Sequence, residues 1–445
     1  MDEDLAGLAA HDAAARIAAG TICAEQLMEA CLARIADRDP QLHAFAHIDP
    51  QRAMKLARQA DACRGQGIGT GPLHGVPVAI KDVIDTGELP TEYGSQIFAG
   101  RQAAEDAACV RQLRQAGAIV IGKTVTTELA SLTAGPTRNP HDPDHTPGGS
   151  SSGSAAAVAT GMVPLALGTQ TAGSVLRPAA YCGIYGFKPT FGLISRAGVL
   201  MQSHTLDTVG VLARTIEDIG LAVDCMSAQD PADKDCWPRS SGRLLDILAQ
   251  EPPVPPLLAF CKTPVWDHAE PDMQDALAEL SAELGDRCEQ VDLPPAFDDI
   301  AETQALIQWA ENGWYYGPLY DRAKDQLSKG MQQRLETGFA TSAREYLHAV
   351  NRRDILYAAL EDVFQRFDAI ICPAAPGPAP KFEEGTGSPI FNGFWTYLGV
   401  PTLSMPLLEA NGMPMGVQLI GPRRDDGRLL RTARWLERRL QVMQV

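Results

Sequence analysis

Apolar and polar positions alternate along the chain in a pattern that predicts helices first and short buried strands afterwards. Residues 8–36 predict two helices that break at Gly20, and the second should end at Asp39-Pro40 because proline stops a helix. One face of that second helix carries its main apolar side chains, which are Leu27, Cys31, Leu32 and Ile35. Residues 51–64 predict a third helix.

Short apolar runs follow these helices and indicate strands. Residues 76–80 and 118–121 each predict a buried strand, and residues 105–116 between them predict a helix. Helices that alternate with short apolar strands are typical of an α/β sheet. Residues 135–149 are rich in proline, glycine, aspartate and histidine and predict a loop, which an apolar run at 155–159 follows.

The last part of the chain predicts the closing elements of the same fold. Residues 369–372 predict a strand, residues 402–406 and 415–420 a pair of strands, and residues 426–440 an amphipathic helix. The sequence contains no internal repeat and no segment typical of a linker. We therefore expect a single α/β domain over residues 1–445, with a mixed, largely parallel central sheet and helices on both faces.

Residues 230–345 carry the weakest periodic pattern of the chain. A helix at 271–285 between strands at 256–261 and 288–291 is all that the pattern predicts there. We expect this variable region to shape the pocket for the substrate. Its candidate pocket aromatics are Trp309, Tyr315 and Tyr316, although aromatic residues more often belong to the core.

The charge balance excludes several classes of function. The chain has 445 residues, 55 acidic against 38 basic side chains, and a formal net charge of −17. Binding to nucleic acid or to an anionic membrane surface needs clustered lysine and arginine, so we expect neither. Ten cysteines form no C-x-x-C pair, which indicates a reducing compartment and no metal or redox motif. The acidic N-terminus and the absence of a long apolar run predict a soluble cytoplasmic protein, and a homodimer is compatible with this.

Two glycine-rich or serine-rich stretches match known motifs in a context that does not favour them. Gly149-Ser150-Ser151-Ser152-Gly153 fits G-x-S-x-G, in which Ser151 would be the nucleophile of an α/β-hydrolase elbow. An elbow follows a strand, whereas the proline-containing segment 141–147 precedes this stretch. The glycines at 65, 67, 69 and 71 suggest a dinucleotide loop, but they follow a helix, which favours a surface loop.

The stretch GTQTAGS at residues 168–174 favours a chemical role. Consecutive small residues allow several backbone N–H groups to point at one position, where they can bind an anion or an oxyanion. Hydrolysis of an amide needs such donors together with a nucleophile and a base. A tight turn packed against another element explains the same residues equally well.

Taken together, these motifs resemble those of the amidase signature hydrolases. The matching segments are GVPVAIKD at 75–82, GGSSSGS at 148–154, GTQTAGS at 168–174, GIYGFKPT at 183–190, GVP at 399–401 and GVQLIG at 416–421. The resemblance covers almost the whole chain, and residues 230–345 match poorly. Several long motifs in the same order make chance similarity very improbable.

The resemblance implies a role for each residue of a catalytic triad. Ser174, the last serine of the 168–174 stretch, would be the nucleophile, Ser150 the relay and Lys81 the base. The backbone N–H groups of Thr171, Ala172 and Gly173, with that of Ser174, would form the oxyanion hole. In this family the peptide bond before the relay serine is cis, which predicts a cis bond between Gly149 and Ser150.

A lysine can act as a base only when it is neutral, although in water it is protonated near pH 7. Burial of Lys81 at a strand end, without a carboxylate partner, would lower its pKa. The neighbouring Asp82 would oppose this lowering. Alternation along an extended chain predicts that the Asp82 side chain points away from Lys81.

Two positions depart from the usual family pattern. Ala172 stands where glycine is usual, and its methyl group would narrow the oxyanion hole or select against bulky acyl groups. Leu176 stands where many members have arginine, and Arg177 follows it. This form resembles the malonamidase-like small bacterial amidases.

Arg177 is the candidate substrate-binding residue. It lies three positions after Ser174, so its side chain can reach the acyl side of a substrate, where a guanidinium suits a carboxylate. A buried ion pair that braces the loop before Pro178 explains the same arginine equally well.

We expect the protein to hydrolyse a small carboxylic acid amide to the acid and ammonia or an amine, through an acyl-enzyme on Ser174. No metal and no cofactor are needed, because serine and lysine supply all proton transfers. The alternative with the same fold and triad is the amidase subunit of a glutamine-dependent amidotransferase complex, which needs a partner protein to receive the ammonia. A non-catalytic binding protein on this fold is the alternative from a different class.

Overall fold

A computed structural model gives the structure of the protein and describes residues 3–68, 71–131, 133–238 and 242–443. Gly69, one of the four glycines considered as a dinucleotide loop, lies outside the described residues. The strands are β1 (Phe45–Ile48), β2 (Pro77–Lys81), β3 (Ile119–Thr124), β4 (Leu165–Gln170), β5 (Tyr185–Lys188), β6 (Thr208–Ala213), β7 (Leu258–Cys261), β8 (Cys288–Val291), β9 (Ala369–Pro373), β10 (Thr402–Ala410) and β11 (Met413–Ile420).

Fourteen α-helices of the described residues pack against these strands and against one another. They are α1 (Ala10–Ala19), α2 (Ala24–Leu42), α3 (Pro50–Gly65), α4 (Ala108–Gln115), α5 (Ser152–Ala159), α6 (Leu176–Cys182), α7 (Ile216–Met226), α8 (Leu244–Leu248), α9 (Pro271–Leu284), α10 (Ile300–Ala323), α11 (Lys329–Ala340), α12 (Ala343–Arg366), α13 (Gly393–Tyr397) and α14 (Asp426–Met443). The protein is therefore a single α/β domain.

All the strands join one mixed sheet in the order β1-β3-β2-β4-β6-β5-β10-β11-β9-β7-β8. The expectation of a largely parallel sheet is wrong, because among the described strand pairs four are parallel and six are antiparallel. One reason is the turn between β10 and β11. Asn411 and Gly412 both have positive φ there, and such a two-residue turn joins antiparallel strands.

The predicted break between the first two helices is confirmed, and the predicted end of the second is wrong. Gly20 ends α1 in the left-handed conformation with φ 72°. Helix α2 continues through Pro40 to Leu42. The proline removes only one N–H group, and the Asp39 carbonyl still accepts the N–H of His43 at 2.8 Å. Helix α2 therefore extends to Leu42, beyond its predicted end at Asp39-Pro40.

The weakly patterned region contains more helix than its sequence indicates. The strand, helix and strand predicted between residues 256 and 291 are confirmed as β7, α9 and β8. The long helices α10, α11 and α12, which form the rest of this part of the fold, were not predicted. Helix α10 packs against α11, α12 and α13, so its apolar residues are spread around its circumference.

Strands β2 and β4 lie in the buried centre of the sheet and position the candidate chemistry. They are parallel neighbours, with Ile80 paired to Leu167, so their carboxyl ends meet at one edge of the sheet. Lys81 ends β2, and the 168–174 stretch begins in β4 and continues beyond it. No helix of the described part of the chain is both long and apolar enough to cross a bilayer.

Candidate active site

Lys81 is completely buried at the end of β2. Its Nζ atom lies within hydrogen-bond distance of Ser150 Oγ at 2.8 Å, of Thr169 Oγ1 at 2.9 Å and of the Thr169 carbonyl oxygen at 3.4 Å. No carboxylate forms an ion pair with it among the residues that the structure describes. Thr169, which the sequence interpretation did not single out, thus contributes two of the three contacts.

The environment of Lys81 lowers its pKa well below the ordinary value. Burial is the largest cause, the charge of Asp207 opposes it, and the charge of Arg177 adds to it. A buried ammonium without a paired carboxylate is costly, so the neutral amine is favoured. This is the state in which a lysine accepts a proton.

Asp82 points away from Lys81, as alternation along the strand predicts. Its Oδ1 lies 3.3 Å from Lys123 Nζ, and its Oδ2 accepts the N–H of Glu92 at 3.0 Å. Lys123 is itself fully buried and donates to Thr91 Oγ1 and the Ile84 carbonyl. The Asp82 carboxylate therefore pairs with Lys123 and not with Lys81, the candidate base.

Ser150 begins the segment that leads into α5. The peptide bond between Gly149 and Ser150 is cis, as the resemblance implies. The carbonyl of Gly149 accepts a hydrogen bond from Arg177 Nη2 at 2.6 Å. A Cβ on Gly149 would lie 2.8 Å from Thr386 Cγ2, so only glycine fits this position.

In residues 171–174, directly after β4, the backbone carbonyl groups accept hydrogen bonds from the protein, whereas the backbone N–H groups do not donate to described residues. The carbonyls of residues 171–174 accept, in order, from Gln304 Nε2 at 3.5 Å, Thr396 Oγ1 at 2.7 Å, Arg177 N at 3.0 Å and Ser151 N at 3.3 Å. No described residue accepts a hydrogen bond from the four N–H groups of this stretch. Four adjacent donors are thus free to bind an oxyanion.

Gln170 holds this stretch in place. Its Oε1 accepts the N–H groups of Val175 at 2.9 Å and Leu176 at 3.1 Å, and its Nε2 donates to Thr396 Oγ1 at 2.9 Å. A Cβ on Gly173 would lie 2.4 Å from Asn392 Oδ1, so glycine is required there. Gln170 belongs to the 168–174 stretch, but its supporting role also depends on Thr396, which only the fold brings close to it.

Ser174 and Ser151 differ in what their hydroxyl groups do. Ser151 is fully buried, and its Oγ lies 3.3 Å from Thr169 N and 3.4 Å from the Thr169 carbonyl, bonded to both. Ser174 is 8% exposed, and its hydroxyl has no hydrogen-bond partner within the described part of the chain. Ser151 therefore has a structural role, and α5, which starts at Ser152, is not preceded by a strand as an elbow requires.

Asp207 is a buried carboxylate that the sequence interpretation missed. Its Oδ1 accepts Thr171 Oγ1 at 2.5 Å, and its Oδ2 accepts the N–H groups of Gln202 and Ser203 at 2.7 and 2.9 Å. Burial raises the pKa of Asp207 to about 6, while the Thr171 hydrogen bond acts in the opposite direction. The antiparallel pairing of Gln170 with Thr208 brings the two segments together. No local sequence signal could have indicated this pair.

Arg177 is buried and has no carboxylate partner among the described residues, so the ion-pair interpretation is wrong. Besides Gly149, its Nη2 donates to Thr386 Oγ1 at 3.3 Å. Its Nε and Nη1 atoms are buried without any hydrogen-bond partner. Burial lowers the pKa of Arg177 to about 10, and the nearby charge of Arg334 adds to the effect.

Arg334, on α11, belongs to the same neighbourhood and was also missed. It donates to Ser131 Oγ at 2.8 Å, has no carboxylate partner in the described chain, and burial lowers its pKa to about 10. Two guanidinium groups without counter-ions therefore lie close enough for the charge of Arg334 to lower the pKa of Arg177. Such a cationic environment is suited to a negatively charged ligand.

The other candidate residues have structural contacts. Tyr316 is buried and donates to the Leu129 carbonyl at 3.3 Å, whereas Trp309 and Tyr315 are partly buried. His141 and His145, the histidines nearest to the serine motif in sequence, lie against Cys182 and Asp142 instead. Among the described residues, no cluster of three or more histidine, cysteine, aspartate or glutamate side chains could hold a metal ion.

Comparison with known proteins gives a consistent set of matches. The family model described as Amidase matches residues 26–430. The chain is 35% identical to the A subunit of glutamyl-tRNA(Gln) amidotransferase from Chloroflexus aurantiacus, over 94% of both chains. It superposes with a TM-score of 0.91 on a chain of a vestigial protein complex related to an s-triazine catabolic enzyme, at 30% identity and covering 97% of this chain and 98% of that one. The peptide amidase of Stenotrophomonas maltophilia matches with a TM-score of 0.85 at 30% identity, over 98% and 97% of the two chains.

Proposed function

The chain belongs to the amidase family, and from this premise we propose that it hydrolyses a small amide with a carboxylate on the acyl side, through an acyl-enzyme on Ser174. The observation that carries the proposal is the buried contact of 2.8 Å between Lys81 Nζ and Ser150 Oγ beside a stretch with four free N–H groups. A base, a hydroxyl relay, a nucleophile and oxyanion donors are the parts that amide hydrolysis requires.

The proposed first step moves one proton along the triad. A neutral amine has two N–H donors and one lone pair, so Lys81 can donate twice to Thr169 and accept from the Ser150 hydroxyl. Ser150 then accepts the proton of Ser174 as Ser174 Oγ attacks the carbonyl carbon of the substrate. The proton passes on to the leaving nitrogen, which departs as ammonia or an amine when the C–N bond breaks.

The proposed second step returns the enzyme to its starting state. Water attacks the carbonyl carbon of the Ser174 ester and gives a proton to Ser150 and Lys81. The bond between the acyl carbon and Ser174 Oγ then breaks, Ser174 takes the proton back, and the acid leaves. In both steps the carbonyl oxygen becomes negative, and the N–H groups of Thr171, Ala172, Gly173 and Ser174 would bind it. These donors need no rearrangement, because the carbonyl groups of the same residues already hold the stretch in place.

The preference for a carboxylate rests on the two arginines. Arg177 has buried Nε and Nη1 atoms without partners, and each unsatisfied buried donor costs about 1–3 kcal/mol. A substrate carboxylate would satisfy them with charge-assisted hydrogen bonds and would also reduce the repulsion between Arg177 and Arg334. A neutral amide would provide neither the charge-assisted hydrogen bonds nor the reduction in repulsion between the two arginines.

The amidase subunit of a glutamine-dependent amidotransferase is the second candidate, and the curated relatives favour it over a stand-alone amidase. The A subunits of glutamyl-tRNA(Gln) amidotransferases from several bacteria match at 31–35% identity over nearly their full lengths. Glutamine is itself an amide with a carboxylate on the acyl side, so the same site chemistry serves both candidates. They differ in whether a partner protein receives the ammonia.

A covalent label tests the chemistry. A fluorophosphonate reacts with an activated serine, and we expect it to label the wild type at Ser174 and to leave Ser174→Ala unlabelled. Ser151→Ala is the matched control, because it removes a neighbouring hydroxyl that has a structural contact. Labelling at Ser151, or equal labelling of the wild type and Ser174→Ala, would refute the proposal.

Ammonia release by the purified chain distinguishes the two candidates. The substrates to compare are glutamine, the monoamide of a short dicarboxylic acid and a neutral aliphatic amide of equal length. A stand-alone amidase should prefer the monoamide without any partner. The amidotransferase hypothesis would instead be supported if glutamine hydrolysis increases strongly when a partner protein is added. A preference for the neutral amide would contradict the proposed recognition of a substrate carboxylate, whichever candidate is correct.

A further inference from the structure

A surface cavity of about 430 Å³ lies where five segments of the chain meet, apart from the site described above. Arg353 from α12 and Arg423 and Arg424 from the loop between β11 and α14 line it. Aromatic rings of Phe191 and Trp237 complete the wall. Three guanidinium groups in one cavity are unexpected on a chain with a net charge of −17.

The two carboxylates of this cavity neutralise only one of its three arginines. Asp354 pairs with Arg423 at 2.8 Å, and Asp235 pairs with Arg196 at 2.7 Å. Arg353 and Arg424 form no ion pair with any described residue. The chain therefore leaves two positive charges in the cavity without a counter-ion.

Two guanidinium nitrogens of the cavity are buried donors without an acceptor. Arg353 Nη1 donates to the Thr205 carbonyl at 3.1 Å, but its Nε has no partner. Arg423 donates through Nε and Nη1, and its Nη2 has no partner. A buried donor of this kind calls for a ligand, an ion or a water molecule as acceptor.

The surroundings increase the electrostatic cost of these charges. Burial lowers the pKa of Arg353 to about 10, and the charge of Arg423 adds to this effect. The buried Lys188 feels the charges of both arginines, with Asp426 opposing them. An anion in the cavity would relieve this repulsion.

The backbone is shaped to bring the guanidinium groups together. Gly399 has φ 67°, and a Cβ there would lie 2.3 Å from Arg353 Nη2, so a larger residue would displace this guanidinium group. Arg424 has φ 65°, a left-handed conformation that is unfavourable for a non-glycine residue and persists where the surrounding structure enforces it. Thr190 Oγ1 accepts its N–H at 2.9 Å. Thr190 and Gly399 both come from motifs that the triad does not use.

We propose that this cavity binds a doubly charged oxyanion, a phosphate group or a small dicarboxylate, between Arg353, Arg423 and Arg424. Guanidinium groups present paired N–H donors that match the oxygens of both anions. The ring faces of Phe191 and Trp237 already stack on guanidinium groups at about 5 Å, which holds these side chains in position.

Isothermal titration with inorganic phosphate at low ionic strength tests the site on the full chain. We expect saturable binding to the wild type and a loss of about 10- to 100-fold in affinity for Arg424→Gln and for Arg353→Gln, because a charge-assisted contact contributes about 1.5–3 kcal/mol. Arg424 is exposed, so Arg424→Gln keeps the test valid even if Arg353→Gln fails to fold. Titration with malonate distinguishes a dicarboxylate ligand from a phosphate.

The controls separate this site from the catalytic one. Arg344→Gln removes an exposed arginine from the same helix, α12, and Arg177→Ala removes the arginine beside Ser174. Both variants should bind phosphate as the wild type does. The proposal fails if neither anion binds the wild type, if Arg344→Gln weakens binding as much as Arg424→Gln does, or if Arg177→Ala alone abolishes it.

Discussion

The central strands with the serine motif and the three long helices α10 to α12 are built on different principles. In the first region, residues 148–190 are buried almost throughout, and glycines such as Gly149 and Gly173 touch neighbours that leave no room for a side chain. In the second region, large apolar side chains such as Trp314 and Ile355 are 77% and 71% exposed.

Hydrogen bonds show the same contrast and also show how the two regions meet. The serine motif uses its carbonyl groups and the Gln170 amide to fix its own backbone. The helices contribute single side chains at its edge: Gln304 reaches the Thr171 carbonyl, and Arg334 lies near Arg177. The first region thus holds the proposed reactive groups rigidly, and the second adds Gln304 and the charge of Arg334 beside them. We expect substitutions in the first to change the rate of reaction and those in the second to change the choice of substrate.

The largest effect should come from the base. Lys81→Ala should lower kcat by about 10²–10⁴, the usual contribution of acid–base catalysis. In the wild type, activity should fall as the pH is lowered, because protonation of the buried lysine removes its lone pair. Steady-state ammonia release across pH measures both effects. His145→Ala is the control, and a large loss in that variant with Lys81→Ala near wild type would contradict the assignment.

Removing either arginine should change selectivity more than rate. Arg177→Ala should raise KM for a monoamide bearing a carboxylate by about 10- to 100-fold relative to a neutral amide of equal length, the cost of one charge-assisted contact. Arg334→Ala, from the helical region, should act in the same direction without lowering kcat for the neutral amide. Equal losses for both substrate types would make these arginines braces of the fold.

A pH-dependent stability difference tests the neutral lysine without measuring activity. In the folded state the pKa of Lys81 lies well below that of the unfolded chain, which is about 10.4, so unfolding takes up a proton between the two values. The free energy of unfolding of the wild type should therefore rise with pH, relative to Lys81→Met, by up to about 1.4 kcal/mol per pH unit.

Denaturant unfolding of both proteins between pH 8 and 10 measures this slope. The comparison removes the contributions of Lys123 and Lys188, whose pKa values burial also lowers, because both proteins contain them. Parallel stability curves would mean that Lys81 is charged in the folded protein.

The smallest effect should come from the outer face of the helices. Trp314→Ser replaces an exposed side chain and should change the free energy of unfolding by no more than about 0.5 kcal/mol, with kcat unchanged. Thermal unfolding and the amide assay check this. A clear loss of activity would show that the outer face of α10 takes part in function, and the contrast between the two regions would then be wrong.

Local signals were sufficient for much of the fold. Strands β2, β3, β9, β10 and β11 and helices α3, α9 and α14 follow from apolar periodicity, since each buries one face or is buried on both. Helices α10 to α12 could not be predicted in the same way, and α10, for example, contacts α11, α12 and α13. Their capping residues, such as Ser342 with Glu345 at the start of α12, were the signal available.

The sequence by itself determined the chemical groups: a lysine after an apolar strand, serines among small residues, and a backbone able to present several N–H groups. These depend on residue type and short spacing, which a sequence displays directly. Only the tertiary structure decided their partners. Asp207 meets Thr171 because β4 and β6 pair, and Thr396 supports the stretch from over 200 residues away. Apart from the β10–β11 hairpin, the direction of the antiparallel strand pairs follows from connections that no local pattern encodes. Contacts between distant segments depend on how the whole chain packs, and they set the burial that lowers the pKa of Lys81 and leaves Arg177 without a counter-ion.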